Sequence, residues 1–580
     1  VSIRSIRTLL ADDPAVGAGN VLTSRLALGL GLDEPLLTFD TPVDDHAAWE
    51  PFTLTELDRA VRARAAALHE LGIGRRDPVV VYAGDAADHV LAFLALTRLG
   101  AIPALLNPNL DGDRAARYIA KLGPVGVLAD PPHLAVLAGH ETGAPALPEI
   151  ATLGSGDPQA APAPYRYSAD DPVAITHSSG TTGLPKAVVH SHASLYAAIR
   201  HRARLPRPQG QERMLSALPA PHAATLIAVN LALASHTRLA VLSSQSGTGV
   251  LDAIERWRPS GVVGFAATWA ELAHHDLSTR QLDSVALWWN TGDCAHEVHI
   301  RRLVAAGSRE SVTREGRVRV PGSLFVDGLG STEMGHSHFF ITHGPGTERY
   351  GRCVGRPHAF VDCELVGPDG EPLGPGEVGE LATASPTLAL GYWNDSATTY
   401  RTRLRGRFLT GDLMYRDEEG YYYHVDRAVD SVELGDGKRL FTAMSEERVL
   451  AACPDVLDCT VVAVRDGERV VTDVLLILAA GADPDTDRTK AVTAALDEAA
   501  AATVRQVVVV AGDDIPLGPT GKVRKVLLRQ RYLDSVADAP AAPAGATDAD
   551  APAAPAGATD ADAPAAPTEA TATPLAGAGA

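Results

Sequence analysis

At 580 residues and 60.6 kDa the chain exceeds a single core, and a formal charge of −20 excludes a nucleic-acid-binding surface as its main business. No run of about 18 apolar residues occurs, and acidic residues rather than an apolar secretion core follow the N-terminal stretch, so neither a membrane span nor export is expected and a cytoplasmic location is. The cysteines (Cys294, Cys353, Cys363, Cys453, Cys459) form no C-x-x-C pair, which argues against a zinc site or a disulfide framework.

In chain order, residues 52–110 read as an α/β unit. Leu57, Val61, Ala65, Leu68 and Leu71 recur at helical spacing, and the turn Gly72 to Asp77 leads into the buried strand Pro78–Tyr82. A second apolar helix, Val90 to Leu99, ends at Gly100 before the strand that starts at Ala101. Strand, helix, strand in this order predicts parallel pairing with a right-handed crossover, and the pattern continues to about residue 345. From Gly351 to Tyr423 short strands and turns take over, with Asp417-Glu418-Glu419-Gly420 as the hairpin turn between 407–416 and 421–425. Beyond Arg427 the chain reads as a small α+β unit: strands over Cys459–Val464 and Val470–Leu478, an Ala-rich helix over 487–503 and a last strand over Val507–Val510. The end is a twelve-residue repeat, DAPAAPAGATDA at 538–549 and again at 550–561, whose composition cannot bury enough surface to offset the entropy of ordering. Six of the net negative charges lie there (Asp538, Asp548, Asp550, Asp560, Asp562, Glu569).

The most informative stretch is Thr176-His177-Ser178-Ser179-Gly180-Thr181-Thr182-Gly183-Leu184-Pro185-Lys186, set between probable strands at 173–175 and 187–190. Glycines let backbone N–H groups converge, Ser and Thr add hydroxyl donors, and Lys adds a point charge, which together suit a polyphosphate. The spacing is not that of the helix-opening nucleotide loop. The string resembles the phosphate loop of the adenylate-forming superfamily, which includes acyl-CoA synthetases, aryl-CoA ligases, peptide-synthetase adenylation domains and firefly-type luciferases. Three further segments fit the resemblance in order: Gly330-Ser331-Thr332-Glu333 after an apolar strand, Thr410-Gly411-Asp412 with Arg427 downstream, and Pro516 to Lys522 near the end.

The resemblance implies an α/β fold. It has a large multi-layer N-terminal domain, built of parallel sheets with helices and a small β-rich subdomain, and a small mobile α+β C-terminal domain. On this reading residues 1–427 bind ATP and acid, 428–536 carry a catalytic lysine and turn about a hinge at 427–430, and 537–580 are a disordered tail. It implies ATP and Mg²⁺ as cofactors. Ser178, Ser179, Gly180, Thr181, Thr182, Gly183 and Lys186 would hold phosphates, with Gly330, Ser331 and Thr332 beside the nucleotide. Glu333 and Thr181 would ligate the metal, Asp412 would accept the ribose hydroxyls, Arg427 would contact ribose and phosphate, and Lys522 would neutralise charge in the transition state. His222, Gly292 and Asp293 are assigned to the acid pocket, and Gly437 to the wall of a thiol tunnel.

Some positions depart from the pattern. Leu329 stands where an aromatic residue commonly packs on adenine, Val429 and Glu433 replace charged residues of the hinge region, and Thr291-Gly292-Asp293 replaces a Gly-Gly-Ala-type segment. His336, His338 and His343 suggest a polar pocket rim rather than a metal site. The leading expectation is an AMP-forming ligase that adenylates a small or medium carboxylic acid and passes the acyl group to CoA, a carrier-protein thiol or an amine. One alternative has the same fold activate a non-carboxylate oxyanion such as nitrite for N–N bond formation. Another is a nucleotide-binding protein without turnover, acting through the tail.

Overall fold

A computed structural model describes residues 3–178, 184–314, 316–518 and 522–537. The first α/β unit forms as the spacing predicts. Helix α1 (Leu54–Glu70) opens on a reciprocal cap: the Thr53 hydroxyl accepts from the Glu56 N–H while the Glu56 carboxylate accepts from the Thr53 N–H. Strand β1 (Pro78–Tyr82), helix α2 (Ala86–Leu99), strand β2 (Ile102–Leu105) and strand β3 (Gly126–Ala129) follow. Helix α2 starts one turn earlier than the apolar pattern suggests, because the Ala86 N–H donates to Ser243 Oγ at 3.0 Å, a partner from distant sequence. It ends at Gly100, whose φ of 76° only glycine adopts without strain.

Strand β4 (Pro172–His177) lies parallel to β2 and antiparallel to β5 (Ala187–Ser191), so the Ser/Thr/Gly-rich string joins two adjacent strand ends. These strands belong to a sheet of order β5-β4-β2-β1-β3, with the two-residue strand Gly391–Tyr392 outside β5.

A second, mixed sheet has fourteen strands among the described residues. After helix α3 (Ser194–Arg204), its parallel centre comprises β6 (Arg213–Ser216), β7 (Arg238–Val241), β8 (Gly261–Gly264), β9 (Leu287–Asn290) and β10 (Leu324–Asp327). Helix α4 (Ala223–Ser235) connects β6 to β7, and helix α5 (Glu297–Ala305) follows β9. The expected β-rich region is hydrogen-bonded onto this same sheet. Its hairpin β11 (Arg407–Arg416) and β12 (Tyr422–Arg427) pairs Asp412 with Arg427 across the ladder. Helices between the sheets have apolar residues on nearly every face, as α2 and α4 do, because both sides are covered.

The small α+β part packs helix α6 (Thr442–Ala452) on a sheet of β13 (Val456–Asp466), β14 (Arg469–Leu478) and β15 (Val504–Val509). β13 and β14 run antiparallel, and β14 and β15 parallel. The single helix expected over 487–503 is two short ones, Thr489–Ala495 and Glu498–Ala501. Asp497 is the reason: its carboxylate caps the second helix by accepting from the Ala500 N–H, a role that interrupts the first. By its contacts the chain divides into Val1–Leu533 and a terminal segment, Asp534–Ala580. The repeat itself lies outside the described residues. Among the described residues no helix is long and apolar enough to cross a membrane.

Candidate active site

Parallel strands release the chain at one edge of the sheet, and binding sites form there. β6, β8, β9 and β10 deliver Leu218 to His222, Phe265, Thr291 to Asp293 and Leu329 to Glu333 to a cavity of about 750 Å³. The hairpin adds Asp412, His424 and Arg427, and the C-terminal part adds Ile515, Leu517 and Lys522.

Lys522 is held by a local clasp. The Gly518 N–H donates to the Lys522 carbonyl at 2.7 Å, the Arg524 N–H donates to the Pro516 carbonyl at 2.8 Å, and Leu517 bridges to Val523. The lysine ammonium lies 3.3 Å from Asp293 Oδ2, so a group from the C-terminal part sits directly on residues of the large part. Burial alone would push the Asp293 carboxyl up; the charges of Lys522 and Arg352 outweigh it and hold Asp293 well below the usual carboxylate range.

Asp412 is buried, with Arg427 donating to its Oδ1 at 2.9 Å. Burial again opposes ionisation, and Arg427 with His424 brings the Asp412 carboxyl down to about 2. Arg352 donates to His424 Nδ1 at 2.8 Å, so Nδ1 is an acceptor and the ring proton sits on Nε2, 3.5 Å from Asp412 Oδ1. Asp293, Arg352, His424, Asp412 and Arg427 thus form one chain of alternating charge and dipole, closed at its outer end by Lys522.

His222 caps α4, its Nδ1 accepting from the Ala224 N–H at 3.1 Å, which leaves Nε2 to face Thr332 Oγ1 at 3.4 Å. Burial pushes the imidazole down to about 3, so it is neutral at pH 7. The Glu333 carboxylate accepts from the Tyr392 hydroxyl at 3.0 Å and borders the cavity. Its second oxygen is a donor atom for a divalent cation, and no cluster of three His, Cys, Asp or Glu side chains that could cage one exists among the described residues. That donor set fits Mg²⁺, which takes one or two carboxylates and leaves the rest of its shell to phosphate and water.

The expected residues therefore divide three ways. Ser178, Lys186, His222, Gly292, Asp293, Gly330, Ser331, Thr332, Glu333, Asp412, Arg427 and Lys522 line one cavity, although they span more than half the chain. Ser179, Gly180, Thr181, Thr182 and Gly183 lie outside the described residues, as do Pro519 to Gly521. Gly437 sits at φ 72° in the turn between short strands at 432–435 and 438–440, away from the cavity lining. Of the three histidines read as a rim, His336 lines the cavity. His338 is buried between Thr383 and Thr387, and His343 stacks on Tyr350. No sequence motif assigns a role to Arg352 or His424; the positive φ of Arg352 at 62°, in a Gly-Arg turn, is a structural sign.

Comparison with known proteins decides the family. Residues 34–393 match the AMP-binding enzyme family. The chain belongs to it. It is 41% identical, over 91% of its own length and 98% of the other's, to a 3-aminoavenalumate diazotase from a Streptomyces species. Among solved structures, an anthranilate CoA ligase in complex with anthranoyl-AMP shares the fold with a TM-score of 0.77 at 20% identity, over 91% of this chain and 99% of that one. O-succinylbenzoate coenzyme A synthetase from Bacillus subtilis, with ATP and magnesium bound, aligns with a TM-score of 0.70 at 21% identity, over 88% and 99%. The chain is thus an adenylate-forming enzyme with the large mixed-sheet part and small α+β part of that fold, and a relative of this fold carries ATP and Mg²⁺.

Proposed function

We propose that the enzyme is an AMP-forming diazotase, which adenylates nitrite and passes its nitrogen to an aromatic amine. The similarity to a diazotase over nearly the full length of both chains carries this reading, and the gathered charges at the cavity mouth support the adenylation half. A nitrite oxygen attacks the α-phosphorus of ATP and pyrophosphate leaves, giving a mixed anhydride of nitrite and AMP. The amine nitrogen then attacks the nitrite nitrogen: the N–N bond forms, the N–O bond to phosphate breaks, and AMP leaves with the electron pair. The N-nitroso amine tautomerises to the diazo hydroxide, takes up one proton and loses water to give the diazonium ion. No oxidant or reductant is needed.

In this scheme Ser178 and Lys186, with the intervening loop, hold the phosphates. Asp412, oriented by Arg427, accepts the ribose hydroxyls, and Lys522 places a compact cation on the charge developing at the α-phosphate. Glu333, with Thr181 from the loop, would hold Mg²⁺, which when bound neutralises phosphate oxygens. The test is to incubate the enzyme with ATP, Mg²⁺, nitrite and an aromatic amino acid, then trap diazonium by azo coupling. Formation of azo dye and AMP in equal amounts, requiring nitrite, is expected; AMP release from an aryl acid and CoA with no response to nitrite would reject the reading in favour of an acid–thiol ligase.

A further inference from the structure

The cavity has an inner end that adenylation does not use. It follows helix α4 from Ala223 and Ala224 through Ile227 and Ala228 to Leu231 and Ala232, nine residues of rise or about 13 Å. The outer end is set by His222 at the start of that helix. The inner end is set by Met214 and Leu239, which belong to β6 and β7 at levels well before their site-bearing ends. The last turn of α3 lies beside the end of α4, since Arg207 donates to the Ser235 carbonyl. Arg202, in that last turn, borders the cavity.

Arg202 is the charged wall residue of a channel whose inner end is lined mainly by apolar side chains, with Gln211, Thr237 and His336 as polar neighbours. Its guanidinium carbon lies 4.1 Å from the centroid of the Trp289 ring, a cation–π contact. None of the ion pairs among the described residues includes it, and the charged group nearest to it in effect is another cation, Arg7. It is half-buried at the cavity wall, and desolvation lowers its pKa to about 10, still charged at pH 7. His336 beside it is neutral, pushed down to about 4 by burial and by Arg202, with its Nδ1–H on the Ser337 carbonyl. A charge desolvated to this degree is costly without a partner. The cavity is where that partner belongs.

We propose that Arg202 binds the carboxylate of the substrate, so that the substrate is an aromatic amine bearing a carboxylate at the end of the molecule remote from the amine. This rests on the diazotase reading and orients its second substrate. The outer end already holds phosphate and nitrite, both anionic, and a carboxylate there would be repelled. An aromatic amine is neutral at pH 7 and keeps its lone pair for attack. Drawing the anionic end onto Arg202 leaves the ring along the apolar face of α4 and the amine facing the activated nitrogen. A ligase that activates the acid itself would place the same molecule the other way round.

The experiment compares 3-aminocinnamate with its methyl ester, using azo coupling for turnover and calorimetric titration for binding in the absence of nitrite. Wild type should prefer the acid by about 50- to 100-fold in kcat/KM, the scale of one charge-assisted bidentate contact. Arg202→Met should lose that preference through KM, with the ester falling no more than a few-fold, and Arg202→Lys should recover part of it. An unchanged melting temperature and ATP affinity would show that the variant folds. Retained acid-over-ester preference in Arg202→Met, or equal losses on acid and ester, would overturn the assignment. The titration separates this inference from the functional reading. Arg202-dependent binding of the acid without diazonium formation would keep the subsite and reject the diazotase. Diazonium formation with identical titrations of wild type and Arg202→Met would do the reverse.

Discussion

The two ends of the cavity are built on opposite plans. At the outer end charges are paired within the protein: Asp293 with Lys522, Asp412 with Arg427, and Arg352 with Asp293 and His424. At the inner end one guanidinium lies on an indole with no carboxylate beside it. On the proposed function the outer end is pre-organised for a constant partner, the nucleotide, with its charges positioned before it arrives. The inner end leaves its charge to be completed by whatever substrate enters. Chemistry and selectivity are therefore separated along the length of one helix.

The contrast predicts that changes at the outer end damage the adenylation step whatever the second substrate. Lys522→Ala removes the cation paired with Asp293 and should lower nitrite-dependent ATP–pyrophosphate exchange by about 10²–10³-fold with ATP binding nearly intact. An exchange rate within a few-fold of wild type would take Lys522 out of the mechanism.

Asp412→Asn should act mainly on nucleotide affinity, raising KM for ATP by about 10-fold or more, because Arg427 loses its countercharge and one of the two acceptor oxygens becomes a donor. Steady-state kinetics with ATP as the varied substrate check it. The same variant has a pH signature. The carboxyl of Asp412 is depressed to about 2, so its contribution to stability is present above the unfolded value near 4 and is lost as pH falls from there towards 2. Melting temperatures of wild type and variant should therefore converge over that acid range; a constant difference would contradict the assignment.

A smaller effect is expected where the two parts of the fold meet. His296, before α5, contacts Glu447 of α6 at 2.5 Å. Burial would lower the imidazole pKa, but the hydrogen bond and charge of Glu447 outweigh it and raise it above the ordinary value. The contact thus stabilises docking fully below about pH 6.5 and loses strength as pH rises through the raised value. Glu447→Gln should flatten this dependence, read as protease cleavage near 428–437 or as a change of a few-fold in the ratio of pyrophosphate exchange to product formation. A pH-independent ratio in wild type would deny the contact a part in domain docking. Smallest of all, removal of residues 538–580 should leave turnover and melting temperature unchanged within error.

Much of the outer end was legible in the sequence because it is built from contiguous strings. Gly330 to Glu333, Thr410 to Asp412 and Pro516 to Lys522 each combine small residues with one charged residue, and order along the chain adds specificity. Arg352, His424 and Arg202 carry no such string. Their significance arises only when the turn before the strand Cys353–Pro357, β12 and α3 bring them to the cavity, so a linear reading meets them as ordinary polar residues. Local competition explains the other difference: the Ala-rich run favours helix throughout, yet Asp497 within it caps a second helix and divides the first. For function, the leading expectation of transfer from an acid to a thiol is less well supported than the nitrite alternative, since the diazotase matches over 98% of its length. The feature that separates the two, an unpaired arginine at the inner end, is a tertiary one.

The most direct test follows the nitrogen. The full-length enzyme would be given ATP, Mg²⁺, an amino-substituted aryl acid and ¹⁵N-nitrite, and the azo-coupled product examined by mass spectrometry against the AMP formed. Nitrite activation predicts one ¹⁵N per coupled product, one AMP per diazonium, and no product without ATP. AMP formation that is indifferent to nitrite and driven by the aryl carboxylate with CoA would contradict it.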